Sequence, residues 1–293
     1  MGKIHGICAV QNEGDVIAES VAWAARLCEH VWVWNLGSTD ETGERLGALS
    51  LPNVTVEHRP PMRFVNSIRG KLFAEVRHHI PEGSWLYILD PDEFLVGDPS
   101  PMLSAAEEEG AGIVGVWQVN FLPTAGEAAE LAALGEARWS AIPLAERLRH
   151  YRAGWFEHRF VHASPGFAWD SSGLFSRWRD GAGQPLRVSR HFGFVRHYRC
   201  RSPAQVLKRH ATRHAREGVG DGLFRWTPSA DFLSYVQPRR RMCHWPPGGG
   251  ELCVPWIELQ RARWVWSWTR AKNHLQRRFG VGRAAARARA EGS

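Results

Sequence analysis

Two aspartates separated by a single residue, Asp90 and Asp92, have the types and the spacing that metal-assisted chemistry requires. Pro91 lies between them, and it fixes its own φ angle and has no N–H, so the chain must leave any sheet here. In such a turn both carboxylates can face one cation. Oxygen ligands suit Mg²⁺ or Mn²⁺ better than zinc, and these cations complete their shell with waters and substrate phosphates. A solvated acidic turn without an ion is the alternative that so short a motif leaves open.

The residues before this motif predict the element that positions it. Residues 86–89 form an apolar run after Gly83 and Ser84, which is typical of a short buried strand. In open α/β sheets, ligands bind just outside the carboxyl ends of the strands. The two aspartates are therefore expected at the edge of a sheet where a ligand would bind.

Strands and helices alternate around this strand. The pattern predicts further strands over residues 4–10, 31–34, 54–57 and 112–120, and helices over 17–28, 66–76 and 101–109. This alternation builds a mostly parallel sheet with helices on both faces, so the predicted fold class is α/β. The sequence has neither a G-x-G-x-x-G nor a G-K-[ST] loop, which argues against a dinucleotide-binding fold and a P-loop.

The second half of the chain gives weaker signals. Residues 125–149 are rich in Ala and Glu and are predicted to be helical or loosely ordered. Residues 151–198 are aromatic and turn-rich, which predicts short strands and loops. Ser202 and Gln205 then predict the start of a helix, because Ser is a good N-cap and Gln three residues later completes a capping box.

Composition limits the class of protein. The 293 residues are 44% hydrophobic and 23% charged, which is typical of a soluble globular chain. No apolar run reaches the roughly 18 residues that would suggest a spanning helix, and no signal peptide is predicted. The five scattered cysteines fit a reducing compartment, so a cytoplasmic location is expected.

The charges are distributed unevenly along the chain. Residues 1–150 carry 11 Lys and Arg against 21 Asp and Glu, while residues 151–293 carry 26 against 9. The acidic half contains the proposed cation site. The basic half suits an anionic partner, which could be a diphosphate, an anionic glycan, a lipid headgroup or a nucleic acid.

With these elements in place, the chain resembles a family 2-type glycosyltransferase of the GT-A fold, and more closely the bacterial branch whose acidic motif reads D-x-D-E-F. Three stretches carry the resemblance, in matching order over roughly residues 1–217: VQNE at 10–13 followed by a helix and a strand into GSTDET at 37–42, LDPDEFL at 89–95, and RHYRCRSPAQ at 196–205. The resemblance implies a nucleotide-sugar-binding half over residues 1–125 and an acceptor-side half of the same domain over 126–220. Residues 221–293 would form a basic, Trp-rich, helical or irregular C-terminal extension.

The resemblance also implies which residues bind the donor. The nucleotide-binding positions would be Asn12, Glu13, Gly37, Ser38, Asp40, Arg69, Lys71 and Asp90. Asp90 would face the ribose or the waters of the metal, Asp92 would ligate Mn²⁺ or Mg²⁺, and His197 would be a further ligand of the metal or the diphosphate. The sequence departs from the family pattern at Asn35, where an acidic residue is common, so the identity of the nucleotide stays open.

The catalytic base is assigned from what the chemistry needs. Breaking a sugar–diphosphate bond leaves negative charge on the leaving group, which a divalent cation and neighbouring cationic side chains stabilise. An inverting transfer also needs a base that accepts the proton of the acceptor hydroxyl. Asp170 and Glu157 are the candidates, and Asp170 is preferred because it precedes a Ser-Ser-Gly turn. A purely structural role of Asp170 in that turn is the alternative.

The expected function is metal-dependent transfer of a sugar, with inversion, from a nucleotide-sugar donor (UDP-sugar favoured) to a glycan or lipid-linked acceptor in cell-envelope polysaccharide synthesis. The basic C-terminal part would then hold an anionic acceptor or rest on the inner membrane surface. A metal-dependent phosphodiesterase or nucleic-acid-binding protein is one alternative, although the chain has a single D-x-D and no recognisable nucleic-acid module, so no nucleic-acid partner is expected. A non-catalytic glycan-binding protein is the other, and donor hydrolysis would separate it from an enzyme.

Overall fold

The computed structural model describes residues 2–62, 67–170, 177–214, 229–248 and 250–279. The strands are β1 (Ile4–Val10), β2 (His30–Leu36), β3 (Val54–Arg59), β4 (Trp85–Leu89), β5 (Glu93–Leu95), β6 (Ile113–Phe121), β7 (His150–His162), β8 (Ala168–Asp170), β9 (Arg177–Arg179), β10 (Val188–His197) and β11 (Cys243–His244). The helices are α1 (Ile17–Ala25), α2 (Thr42–Gly47), α3 (Ser67–Val76), α4 (Ser100–Glu108), α5 (Ala125–Leu134), α6 (Glu136–Ala141), α7 (Leu144–Arg147), α8 (Pro203–His214) and α9 (Trp256–Phe279).

One large sheet organises the described residues. Its strand order is β3-β2-β1-β4-β7-β6-β10-β5, with β11 paired to β7, while β8 and β9 form a separate pair. Along this order β7 and β5 run against the direction of the other strands, which all point the same way. The predicted α/β class, with a mostly parallel sheet flanked by helices, is confirmed.

The apolar residues of β1 show why the sheet is covered on both faces. Cys8 and Val10 pack into the core shared with α1 and α4, whereas Ile7 and Ala9 pack into the core shared with α3. Because successive side chains of a strand point to opposite faces, a strand that is covered on both sides is apolar along most of its length. All seven residues of β1 are buried, and His5 is the only polar side chain among them.

Residues 125–149 are helical in the structure. Thr124 and Glu127 form a capping box at the start of α5, in which the backbone N–H of Thr124 donates to Glu127 Oε2 at 2.7 Å. The capping box satisfies backbone groups that the first turn of a helix leaves unpaired. Three short helices, α5, α6 and α7, then lead into the sheet.

The prediction of short strands over residues 151–198 was wrong for most of that segment. β7 has 13 residues and β10 has 10, and both lie inside the large sheet. The pairing of β6 with β7 shifts register twice, between Val114 and Gly115 and between Trp117 and Val119. Each shift breaks the two-residue alternation of buried and exposed side chains, which is the sequence signal of a long strand.

The C-terminal helix α9 packs on the face of the sheet formed by β6 and β7. Trp266 contacts Trp117 and Phe156, with ring centroids 6.2 and 5.6 Å away, and Ala262 is buried in the same cluster. Among the described residues, no helix has both the length and the apolar character needed to cross a membrane.

Candidate functional site

The turn that contains Asp90 and Asp92 connects β4 to β5 at the carboxyl edge of the sheet. Its backbone is closed by a hydrogen bond from Glu93 N to Asp90 O at 3.1 Å, and the carbonyl of Asp92 accepts from Tyr198 N at 2.9 Å. Asp92 is only 5% exposed. A solvated acidic turn would leave this carboxylate in water, so the burial of Asp92 argues against that alternative.

Asp92 faces a histidine from a different strand. His197, the last residue of β10, places Nε2 3.4 Å from Asp92 Oδ2. The other ring nitrogen, Nδ1, lies 2.8 Å from the side-chain oxygen Oδ1 of Asn120 on β6. Because that oxygen can only accept, Nδ1 carries the hydrogen, and a neutral His197 presents the lone pair of Nε2 to the space beside Asp92.

This pair fits two positions in the shell of a divalent cation. Cation–oxygen distances of about 2.1 Å put neighbouring ligand atoms about 3 Å apart in an octahedral shell. The 3.4 Å between His197 Nε2 and Asp92 Oδ2 is close to that spacing. In the part of the chain that the structure describes, no three His, Cys, Asp or Glu side chains are grouped to hold a metal ion. The other ligands would therefore come from water and substrate.

Asp90 is held by two arginines. Arg69 from α3 donates to Asp90 Oδ1, and Arg159 from β7 donates to Oδ2 at 2.5 Å. Arg159 also donates twice to the fully buried Glu93, at 2.8 and 2.7 Å. Burial opposes the charge of Asp90, but Arg159 and Arg69 outweigh it and lower the pKa of this carboxyl. The resemblance placed Arg69 at the nucleotide, and in this structure it pairs with Asp90.

The electrostatics keep Asp92 ionised as well. Burial again works against the charge, but the cationic form of His197 and Arg209 outweigh it and hold the pKa of Asp92 well below its ordinary value. Arg209 Nη1, from α8, lies 3.1 Å from Asp92 Oδ2. An ionised carboxylate that is largely excluded from water is ready to bind a cation without first losing a proton.

The loops after β1 and β2 are joined to each other beside this turn. Asn12 N donates to Ser38 Oγ at 2.9 Å, and Thr39 N donates to Asn12 Oδ1 at 2.8 Å. Asn12 adopts a left-handed backbone conformation with φ of 58°. Asp40 lies in the same loop, and Lys208 from α8 donates to its Oδ2 at 2.8 Å. The structure thus brings Asn12, Ser38 and Asp40 together in the joined loops.

Gly37 is required by the shape of this loop, and replacing it with alanine is expected to destabilise the protein by about 2 kcal/mol. Its φ is 62°, and a Cβ at this position would lie 2.5 Å from the Cα of Pro61. Urea unfolding would measure the loss. Gly47→Ala is the matched control, because a Cβ there has no atom within 4 Å. Equal effects at the two positions would contradict this account of the loop.

One arginine with no role predicted from the sequence, Arg201, binds two carboxylates in the segment after β1. Arg201 is fully buried and donates to Asp15 Oδ2 and Oδ1 at 2.6 and 2.8 Å, and also to Glu13 Oε2. Burial raises the pKa of Glu13, while Arg201 works in the opposite direction. Glu13 follows β1 by three residues, and its carboxylate accepts a hydrogen bond from Arg201. The only signal in the sequence was that Arg201 falls inside the matched stretch 196–205.

Glu157, Asp170 and Lys71 are the remaining residues that the sequence predicted for the site. Glu157 is on β7, half-buried, and burial raises its pKa although Arg159 works against that rise. None of the described residues hydrogen bonds to its carboxylate. Asp170 is in β8 and pairs with Arg177 of β9, but its side chain lies outside the described part of the structure. Lys71 is exposed on α3 and has no hydrogen bond or ion pair with the residues described.

Comparisons with known proteins give similarity to solved structures only. No protein-family model matches the chain, and no curated protein matches it in sequence. The chain is similar to a mannosyltransferase from Pyrobaculum calidifontis solved with GDP-mannose and Mn²⁺, at 12% identity and a TM-score of 0.40, over 80% of this chain and 69% of that one. It is similar to glucosyl-3-phosphoglycerate synthase from Mycobacterium tuberculosis in complex with phosphoglyceric acid, at 22% identity and a TM-score of 0.29, over 48% of this chain and 53% of that one. A mycobacterial protein matches at 18% identity and a TM-score of 0.35, over 75% of this chain and 76% of that one.

Proposed function

We propose that the protein is a metal-dependent glycosyltransferase of GT-A-like fold that transfers a sugar, with inversion, from a nucleotide-sugar donor to a glycan or lipid-linked acceptor in cell-envelope polysaccharide synthesis. The observation that carries the proposal is the placement of His197 Nε2 3.4 Å from Asp92 Oδ2, at the carboxyl edge of the sheet and in the sequence context L-D-P-D-E-F-L. UDP-sugars are the favoured donors.

Asp92 and His197 would hold Mn²⁺ or Mg²⁺, and the cation would neutralise charge on the diphosphate that leaves. Asn120 orients His197 by accepting from Nδ1, in the way that a second group commonly orients a metal-binding histidine. Arg69 of α3 donates to Asp90, and Arg209 of α8 donates to Asp92, each through one hydrogen bond. In a donor complex they are placed to exchange these carboxylate contacts for phosphate oxygens, which a guanidinium group can bind in bidentate geometry.

The nucleoside would lie over the joined loops after β1 and β2. Asn12 and Ser38 fix these loops to each other, and Asn35 Oδ1 accepts from Ser38 N at 3.2 Å. Asn35 stands where the family commonly has an acidic residue, and here it shapes the Gly37–Asp40 loop from within. Glu13 stays in the proposed nucleotide site because of the position of its backbone. Lys71 stays in it because of its positive charge.

We prefer Glu157 as the catalytic base that accepts the proton of the acceptor hydroxyl, although the sequence alone favoured Asp170. It lies on a strand of the large sheet, two residues before Arg159, whose guanidinium binds Asp90. Burial raises its pKa, which makes the ionised carboxylate a stronger proton acceptor, and no described residue occupies its oxygens. Asp170 is kept as the second choice.

Thermal unfolding against UDP-, GDP-, CMP- and dTDP-sugars, each with and without Mn²⁺, tests the proposal. A ligand that binds only the folded state raises the melting temperature, by mass action. We expect one nucleotide class to raise it, and only when the metal is present. A stabilisation that is equal without metal would remove the cation from the proposal, and the absence of any shift at millimolar donor would contradict the transferase function.

A further inference from the structure

The C-terminal helix α9 has two apolar faces, and the sheet covers one of them. Leu259, Ala262 and Trp266 follow one another at three- and four-residue spacing and pack against Trp117 and its neighbours. Ile257, Trp264 and Trp268, spaced seven and four residues apart, lie on the opposite side of the helix. A helix needs one apolar face to dock on a domain, so the second face requires another explanation.

The second face is open to solvent. The relative exposures are 71% for Trp256, 68% for Ile257, 68% for Trp264 and 62% for Trp268. The rings of Trp264 and Trp268 stack with centroids 6.3 Å apart and an angle of 4° between their planes, so the two side chains form one apolar pair. Single exposed apolar residues are common, but a stacked pair of tryptophans with an isoleucine on the same side of one helix indicates a binding surface.

The charges of α9 are predominantly positive. The sequence of α9 contains six Lys and Arg and a single acid, Glu258, which is paired with Arg261 at 2.6 Å. Residues 261–293 together carry nine Lys and Arg and one acid. Arg263 and Arg270 are exposed, and their guanidinium groups lie over Phe192 and Trp266, so these two cations flank the face of α9 that packs on the sheet. A partner that is apolar where it meets the exposed rings and negatively charged overall therefore matches this helix.

We propose that α9 lies in the surface of an anionic phospholipid bilayer, with Ile257, Trp264 and Trp268 inserted at the level of the headgroups. Tryptophan favours this depth because its ring is apolar and its N–H is polar. A helix with basic residues and one Trp-rich face is the usual form of an interfacial segment, and anionic headgroups supply the negative charge. In a symmetric dimer α9 would face the same positively charged helix of the second copy, so charge complementarity favours lipid.

Co-sedimentation of the full chain with vesicles tests this proposal independently of any transferase activity. We expect the protein to sediment with phosphatidylcholine vesicles that contain about 30% phosphatidylglycerol and much less with phosphatidylcholine alone, and we expect added salt to weaken binding. The double variant Trp264→Ser/Trp268→Ser is expected to bind about tenfold less, because two inserted rings are lost. Both side chains are exposed, so the melting temperature should not change.

Leu233→Ser is the matched control, because Leu233 is equally exposed but lies in the 232–235 turn, away from α9. It should bind vesicles as well as the wild type. The proposal is overturned if the wild type does not sediment with anionic vesicles, or if the double variant sediments equally well. It is also overturned if the wild type is a stable dimer that the double variant dissociates, because the face would then bind a second copy.

Discussion

Replacing Arg201 with methionine is expected to lower the free energy of unfolding by about 4 kcal/mol. Arg201 is fully buried and holds Asp15 through two hydrogen bonds and Glu13 through another. Methionine fills much of the same volume but leaves both carboxylates without their cation in a poorly solvated place. Breaking a buried ion pair from one side costs more than the pair contributes, since the remaining charge has lost its water and its partner. Urea unfolding would measure the change.

The loss should depend on pH in a defined direction. Arg201 contributes to lowering the folded-state pKa of Asp15, although burial alone would raise it. A carboxyl whose pKa is lowered by folding adds stability above its unfolded pKa of about 3.9, and this stability disappears as the pH falls through the folded value. The difference between wild type and Arg201→Met should therefore be largest near neutral pH and shrink under acid conditions.

Arg190→Met is the control for this prediction. Arg190 also binds a carboxylate, Glu109, but its side chain is 80% exposed, so its ion pair is screened by water. We expect little change in the free energy of unfolding from this variant. If Arg201→Met were no more destabilising than Arg190→Met, or if its effect did not vary with pH, Arg201 would not be the link that joins β1 to the start of α8.

The contrast between Asp92 and Arg201 shows what the sequence could predict. The Asp90–Asp92 turn follows directly from a local pattern, an apolar strand that ends at a proline between two acids, and the structure has this turn at the predicted edge. Arg201 binds partners 186 and 188 residues away in the chain. No local periodicity reports such a pairing, because it depends on where the whole chain places α8 over the end of β1.

The same reason explains the other differences. His197 was connected to the metal through the resemblance alone, and its hydrogen bond to Asn120 depends on the parallel pairing of β10 with β6. The lengths of β7 and β10 were missed because register shifts hide the alternation of a long strand: two where β7 pairs with β6, and one in β10 between Val188 and Phe192. Arg69 was expected at the nucleotide through the resemblance, and in the structure it pairs with Asp90. Sequence patterns thus predict single elements well and contacts between distant elements poorly.

Replacing Asp92 with asparagine is expected to reduce sugar transfer, or donor hydrolysis where the acceptor is absent, by about a thousandfold. The change preserves the shape of the side chain but removes the negative charge that faces His197 and Arg209. A neutral amide is a much weaker ligand for a hard divalent cation, so the charge on the departing diphosphate loses its main stabilisation. We expect Mn²⁺ and donor together to raise the melting temperature of the wild type, and this rise should disappear in the variant.

Two further variants separate loss of the metal site from loss of folding. Asp98→Asn makes the same chemical change at an exposed carboxylate that caps the turn before α4, and it should keep full activity. Asn120→Ala leaves both proposed ligand atoms, Asp92 Oδ2 and His197 Nε2, in place but removes the acceptor that orients His197. We expect Mn²⁺ affinity to fall about tenfold to a hundredfold, and we expect saturating metal to restore turnover. If a folded Asp92→Asn protein retained Mn²⁺-dependent donor binding, Asp92 would not be a ligand. The cation would then have to be placed on Asp90, whose two arginines would first have to leave.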